Sequence, residues 1–451
     1  MNIVIAGIGK FGRTLTEQLS KQNHNIIVID SKASVIENTV NQFDVKGYCG
    51  NSASYLTLKD ALIAKYDLLI ATTSTDESNI LSCLVAKKLG IKQTIARVRN
   101  PDYALQAQIM SEELGISMTL NPDLDTAREI SRILRFPSAI KVDTFANGKV
   151  ELVEVKVEKK SLLNGVSLMD LHEKYKIKVL VCAVKRENEI IIPKGDFILN
   201  EGDYVYITAS AKETQQAFKK LKLLKEKLSS TMIIGGGKIT YYLASLLLDA
   251  GISVKIIEKN LDRCKQLSEM LPNAMILHGD GTNQKLLLEE GIETVDSVVT
   301  LTDMDETNII VSSFAKNLNC DKVITKVNND NYELILNNVG LDSVVSPKEV
   351  FTSHILRYVR GMGRHKGSEF KTLYRLVGNK VEALEFTISK ETKYTSKMLK
   401  DLKIKQDCLL ACIIRHGKVI IPSGKDTLEP NDSVIIITTD SSIKDVSDIL
   451  E

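Results

Sequence analysis

Three glycines and one acid carry the first chemistry legible in this chain. Gly7, Gly9 and Gly12 lie in GIGKFG, after an apolar run that begins at Ile3. Asp30 ends a second apolar run, 18 residues past the last glycine. Strand, glycine turn, helix and terminal acid at this spacing form a dinucleotide-binding fingerprint. Gly7 permits the tight turn, Gly9 lets the backbone approach a pyrophosphate, and Gly12 lets helix and strand pack closely. The helix opening at Lys10 and Phe11 would offer free N–H groups and the positive end of its dipole to phosphate. Asp30 would accept hydrogen bonds from ribose hydroxyls and repel a 2′-phosphate, which favours NAD or an adenine nucleotide over NADP.

The same series recurs. Thr231–Glu258 contains an apolar run, then Gly235-Gly236-Gly237-Lys238-Ile239-Thr240, then Glu258. The offset is 228 at both the glycines and the acid. Gly50-Asn51-Ser52 answers Gly279-Asp280-Gly281, and Ile192-Pro193-Lys194-Gly195 answers Ile421-Pro422-Ser423-Gly424, both at offset 229. So small a drift marks a tandem duplication. Thr240 takes the third glycine position, where a β-branched residue is expected to widen the helix–strand contact.

Two further loops fall at sheet C-terminal ends, where ligands of such folds bind. They are Thr72-Thr73-Ser74 and Thr300-Leu301-Thr302-Asp303. Their hydroxyls could cap the next helix or touch ribose and phosphate. Arg97, at a strand end, could reach a phosphate or stand at the surface.

A dehydrogenase also needs a proton donor or acceptor beside the hydride. None of the six histidines falls in a matching place in both halves or in a recognisable motif. His24 lies in a helix-to-strand connection on the face opposite the ligand. Tyr55-Leu56-Thr57-Leu58-Lys59 spells YxxxK, but it comes too early and has no equivalent in the other half. No P-loop, HExxH or GxSxG occurs. Two nucleotide-binding halves without a substrate domain read as a regulator.

Alternating strands and helices must position these residues. Ile3–Ala6, Asn25–Ile29, Asp67–Ala71 and Thr94–Val98 read as buried strands, with helices such as Arg13–Gln22 and Asn79–Leu89 between them. That alternation predicts a Rossmann-like, doubly wound parallel sheet. Asp123–Leu134 is an amphipathic helix outside that unit. Lys149–Val157, Val179–Val184, Asn188–Ile192 and Tyr204–Thr208 are β-rich and predict a small α+β domain. Lys219–Lys227 reads as a charged helical connector. The second half repeats the plan, with Lys348–Val359 as the extra helix and residues 361–367 as a glycine-rich basic linker. The expected domains are 1–121, 140–224, 229–345 and 370–451.

Composition bounds the function. Lys and Arg number 59 against 57 Asp and Glu, so a net charge of +2 makes no electrostatic case for nucleic acid. No apolar run approaches the roughly 18 residues of a membrane span. Met1 leads straight into a strand, unlike a signal peptide, so a cytoplasmic protein is expected, with any membrane role coming through a partner. Seven scattered cysteines contain no CxxC pair. Cys408 and Cys412, four apart in a strand-like run, are expected on one face as reduced core thiols. No metal site is expected.

The series GIGKFG, VIDS, GNSAS, TTSTDESN and ARVRNP resembles the RCK N-terminal (KTN) domain, which regulates potassium conductance. IIIPKGDFILNEGDYVYIT and VIIPSGKDTLEPNDSVIIIT resemble the RCK C-terminal domain, with its apolar–Pro signature ending on an Asp. N and C modules alternating twice are similar to the regulatory subunits of Trk-type potassium uptake, over nearly the whole chain. The resemblance implies NAD(H) or ATP/ADP contacts at Gly7, Ile8, Gly9, Lys10, Phe11, Asp30, Asn51, Thr73, Ser74 and Arg97. In the second half it implies Gly235, Gly236, Gly237, Lys238, Ile239, Glu258, Asp280, Thr302 and Asp303. Asn51 stands where the family usually has Asp, and Lys326 or Asn328 stands near the place of Arg97. The resemblance further implies a homo-oligomeric ring on the inner face of the membrane, beneath a Trk-type channel subunit, with the extra helices pairing neighbouring modules. A free-standing dinucleotide sensor and an NAD-dependent oxidoreductase are the alternative readings.

Overall fold

The computed structural model describes residues 1–451 except 23, 62–64, 102, 104–105, 107–112, 137, 146–148, 188, 224–227, 342, 363–367, 377–380 and 441. The end of the charged connector and most of the basic glycine linker expected from the sequence thus lie outside the described residues.

The first sheet is built from β1 (Asn2–Ala6), β2 (Asn25–Asp30), β3 (Lys46–Cys49), β4 (Leu68–Ala71), β5 (Gln93–Arg97) and β6 (Met118–Leu120). All pairings are parallel, in the order β3-β2-β1-β4-β5-β6. Strands β1 and β4 are apolar on both faces because helices cover both sides. Those helices are α1 (Lys10–Ser20), α2 (Ala33–Gln42), α3 (Tyr55–Ala61) and α4 (Asp76–Lys88). The strand order reverses between β1 and β4, which opens a crevice at their C-terminal ends.

Helix α5 (Pro122–Arg135) follows, started by Pro122 and by Asn121, whose side chain accepts from the Asp123 and Leu124 amides. Then come β7 (Lys141–Phe145), β8 (Val150–Lys156), α6 (Leu168–Tyr175), β9 (Leu180–Arg186), β10 (Glu189–Ile191), β11 (Tyr204–Ser210) and α7 (Ala211–Lys220). Their strands form an antiparallel sheet ordered β10-β9-β11-β8-β7. The signature acid Asp203 is buried there. Both its oxygens accept from the Arg186 guanidinium at 2.8 Å, and one also takes the Asn200 amide at 2.8 Å. Asp432 holds Arg415 in the same bidentate way at 2.9 and 2.8 Å.

The second half repeats both sheets. The parallel one holds β12 (Ser230–Ile234), α8 (Lys238–Asp249), β13 (Ser253–Glu258), α9 (Leu261–Met270), β14 (Met275–His278), α10 (Gln284–Glu289), β15 (Ser297–Thr300), α11 (Asp305–Asn317), β16 (Lys322–Lys326), α12 (Glu333–Asn338) and β17 (Val344–Val345). Its order is β14-β13-β12-β15-β16-β17. Helix α13 (Pro347–Gly361) leads to β18 (Ser368–Leu376), β19 (Val381–Ile388), β20 (Cys408–Arg415), β21 (Lys418–Ile420) and β22 (Ser433–Thr438).

The two extra helices cross over. Helix α5 buries Ala127, Ile130, Ile133 and Leu134 against Tyr242, Leu243 and Leu247 of α8 in the second half. Helix α13 buries Phe351, Ile355, Leu356 and Val359 against Leu15 and Leu19 of α1 in the first half. The two antiparallel sheets meet face to face through residues such as Phe145, Leu152, Cys182 and Tyr206 against Ala383, Cys412, Ile435 and Ile437.

Cys408 and Cys412 do not share a face. The register of β20 against β22 shifts between Leu410 and Cys412. A bulge adds one residue and inverts the alternation beyond it. Cys408 therefore joins the core beside Leu410 and Ile413, whereas Cys412 lies in the sheet–sheet interface.

His354 on α13 lies 4.0 Å from Asp125 on α5. Burial, then Arg357, Arg132 and Arg128, hold its pKa down at about 3, below the ordinary 6.5. His24, beside the N-terminal amine, is likewise lowered to about 4. With folded values below unfolded ones, the unfolded chain binds more protons across this window. The stability contributed by these two histidines should fall as pH drops through 6.5 towards 4, against the opposite contribution of buried carboxylates such as Asp125, whose pKa burial raises. Melting temperatures at pH 7.5 and pH 5 test this, and His354→Gln should flatten the decline.

Candidate nucleotide clefts

The first cleft is assembled around the carbonyl of Gly7. Gly7 has φ +89°, and a Cβ there would lie 2.6 Å from the Thr73 backbone, so only glycine fits. An added Cβ at Gly12 would lie 2.0 Å from the Gly7 oxygen and 2.9 Å from the Thr72 hydroxyl. That hydroxyl donates to the Gly7 carbonyl at 2.7 Å. Gly9 faces open space, and α1 begins after it with no side-chain cap and no acid in its first turn. Its leading amides are thus available to an anion.

Asp30 already has work in the protein. One oxygen accepts the Ile8 amide at 2.8 Å and the other accepts the Lys32 amide at 3.0 Å. It pins the glycine turn, and its remaining lone pairs can still receive ribose hydroxyls.

The second cleft copies this frame. Gly235 has φ +101°, the Gly236 amide donates to Glu258 at 2.6 Å, and the Asn260 amide donates to its other oxygen at 2.7 Å. Gly237 faces open space before Lys238 opens α8, again without a side-chain cap. Thr240 is fully buried and its hydroxyl donates to the Gly235 carbonyl at 2.6 Å. Leu301 stands at the position of Thr72. The hydroxyl serving the glycine carbonyl has moved from the β4 loop to the helix, so the gap expected at Thr240 is bridged.

A missed residue organises the opposing loop. Asn79 is fully buried and accepts from the Thr73 amide and hydroxyl, both at 2.7 Å, while donating to the Arg97 carbonyl at 2.9 Å. Asn308 does the same for Thr302, at 2.9 and 2.8 Å, and for Lys326, at 3.0 Å. Their 229-residue offset was the available signal. Thr73 is not the helix cap: Thr75 accepts from the Ser78 amide at 3.3 Å. Ser74 and Asp303 are exposed at the loop tips.

Arg97 is no surface residue. It is 5% exposed, its guanidinium lies 5.0 Å from the Phe11 ring centre, and it donates to the Thr73 carbonyl. Its Nε is buried without a protein partner. Burial, then Arg99, lower its pKa to about 10. Lys326 is its counterpart, buried at the same strand end with Nζ 3.9 Å from Asp303. Asn328 instead matches Arg99: their amides donate to Asp305 at 2.9 Å and to Asp76 at 2.8 Å.

Asn51 and Asp280 each shape an exposed turn at the third strand's end, accepting the Ala53 and Thr282 amides at 2.9 Å. The Thr282 amide and hydroxyl lower the pKa of Asp280. Phe11 and Ile239 turn their side chains to the crossover helices. Phe11 meets Phe351 edge-on at 5.2 Å, and Ile239 joins the core formed with α5. His278, one of the six histidines without a match in the other half, pairs with Glu258 across strands β14 and β13, where the first cleft has Cys49 beside Asp30.

Comparisons with known proteins agree with this architecture. The TrkA-N domain matches residues 3–122 and 231–347, and the TrkA-C domain matches 152–222 and 383–451. A Trk system potassium uptake protein TrkA homolog of Archaeoglobus fulgidus is 33% identical over 454 residues, covering 100% of both chains. The Trk system potassium uptake protein TrkA of Halomonas elongata is 31% identical, covering 100% of this chain and 99% of its own. The GsuK channel bound to NAD aligns with a TM-score of 0.63 at 17% identity, covering 97% of this chain and 76% of its own. The GsuK RCK domain aligns with a TM-score of 0.61 at 17% identity, covering 97% and 92%. Those structures share the fold.

Proposed function

The chain belongs to the TrkA family of potassium uptake proteins, with two TrkA-N and two TrkA-C domains in alternation, and on that premise we propose that it is a nucleotide-sensing gating subunit. It binds NAD(H) or ATP/ADP in its parallel-sheet clefts and passes their occupancy to a Trk-type membrane channel subunit. Among the described residues no helix is long and apolar enough to cross a membrane. Attachment at the inner membrane face then comes through that partner, with copies of the chain assembled as a ring.

One observation carries the reading: the glycine turn of each half touches a helix from the other half. Phe11 lies between Gly9 and Gly12 of the first turn and meets Phe351 of α13 edge-on, while Ile239 packs with α5. A nucleotide seated on either turn therefore bears on the joint between lobes. It shifts that joint only if it binds the two arrangements with different affinity. The GsuK channel, which shares this fold and is bound to NAD, supports a dinucleotide as one ligand.

The test is calorimetric titration with NADH, NAD, ATP and ADP of the wild type, Asp30→Asn and Glu258→Gln. Each substitution keeps the side chain's shape. Weakening by at least about tenfold at the altered cleft is expected, because the charge that would meet the ribose is lost and the new NH2 also faces one of the two backbone amides the carboxylate held. Failure of the wild type to bind any of the four would sink the sensing reading. Steady consumption of NADH with a small substrate would favour an oxidoreductase instead.

A further inference from the structure

The duplication is unequal at the seams where each antiparallel sheet meets the parallel lobe its crossover helix reaches. On one side, the first parallel lobe, α13 and the last antiparallel sheet form one continuous apolar core, from Ile3 and Leu15 through Phe351 and Ile355 to Leu384 and Ile436. On the other side, the cores of the second lobe and the first antiparallel sheet are separate. Between those two lies a cavity of about 500 Å³.

Lysines dominate its wall. Lys156, Lys160 and Lys222 come from the first antiparallel domain, and Lys316 and Lys322 from the second parallel lobe. Two carboxylates, Glu158 and Asp321, leave a surplus of three positive charges. Lys322 is 7% exposed; its ammonium donates to the Ala139 carbonyl across the seam and to Ser343 at 2.8 Å. Gln93 holds the equivalent position in the other half, where its oxygen accepts from Tyr358 at 2.7 Å. The basic wall is thus a property of one copy.

We propose that this seam is a binding site for a small phosphorylated anion of nucleotide size. The volume lies within the usual range of ligand pockets, about 300–1,000 Å³. Phosphate oxygens would meet Lys160 and Lys222 of the first antiparallel domain and the field of Lys316 and Lys322, whose ammoniums also hold the Gly340 and Ala139 carbonyls, and apolar side chains such as Leu162 and Leu341 line the cavity for a base or sugar. Charge repulsion among the lysines weakens the seam that Lys322 bridges to Ala139, and a dianion removes that repulsion. Occupancy then clamps the first antiparallel domain onto the second lobe. The site shares no lining residue with either glycine-turn cleft.

The probe is inorganic pyrophosphate, then AMP, titrated calorimetrically into wild type and into Lys160→Glu/Lys222→Glu. Both lysines are exposed, so folding should survive. Binding at least about tenfold weaker in the double variant is expected from losing two charged contacts. Cys320 lines the cavity, and Cys49 is exposed beside the first cleft. Alkylation followed site by site should show pyrophosphate slowing Cys320 in the wild type but not in the variant. Slowing at Cys49 alone would place the anion in the cleft and overturn the proposal. So would equal affinity in both proteins, no binding, or the same effect from sodium chloride at matched ionic strength. If Cys320 proves unreactive, the calorimetric comparison decides alone.

Discussion

Gly12→Ala should destabilise the first parallel lobe by about 2–4 kcal/mol and abolish nucleotide binding at its cleft, because overpacking against backbone has no cheap relief. The new Cβ would fall 2.0 Å from the Gly7 carbonyl oxygen and 2.9 Å from the Thr72 hydroxyl. Neither is the free end of a flexible chain. The carbonyl belongs to the turn held by Asp30, and the hydroxyl is bonded to that same carbonyl. Relief requires α1 to move off β1, which carries the leading amides of the helix away from a bound phosphate. Denaturant unfolding and NADH titration measure the two effects. The second copy supplies the control. It accommodates Thr240 because Leu301 replaces Thr72 and the threonine itself serves the Gly235 carbonyl. Gly12→Thr with Thr72→Leu should therefore recover part of the loss. A Gly12→Ala protein as stable and as competent as the wild type would refute the packing account.

Phe351→Ala should cost about 3–5 kcal/mol, the range for a large aromatic removed from a core. Phe351 is 1% exposed and stands edge-on to Phe11 at 5.2 Å. Phe11 in turn backs the Arg97 guanidinium at 5.0 Å. The substitution opens a cavity at the contact between the second half's helix and the first half's glycine turn. The expected signature is double: a lower unfolding midpoint, and weaker nucleotide binding at the first cleft with the second nearly unchanged. Calorimetry on Phe351→Ala in the Glu258→Gln background isolates the first cleft. Phe351→Leu, which refills most of the volume, should restore stability more fully than binding. Unchanged binding in Phe351→Ala would show that the crossover helix does not bear on the cleft.

The clefts were legible in the sequence because their parts are local. A positive φ at Gly7 and Gly235, an open position at Gly9 and Gly237, and an acid at the next strand's end all lie within one strand–helix–strand unit. Spacing along the chain then translates directly into geometry. The burial of Arg97 and the part played by Asn79 were less visible. Both depend on how the β4 loop folds back onto the end of β5. Residue type alone reads Arg97 as a surface residue, and only its place at a strand end points to a phosphate.

By itself the sequence determined the tandem repeat, the doubly wound parallel sheets, the small α+β modules after them and the turn chemistry of both clefts. Those follow from periodicity and from backbone conformations that only certain residues adopt. The resemblance implied that the extra helices pair neighbouring modules, but tertiary structure decided that α5 packs on α8 and α13 on α1 of the opposite half, since an amphipathic face does not name its partner. It decided that Thr240 is satisfied through the exchange with Leu301, which lies 61 positions away in the chain. It also split Cys408 from Cys412, because a bulge set by pairing with β22 overrides the period of two. Each of these depends on which surfaces meet, and contact between distant segments leaves no spacing to read.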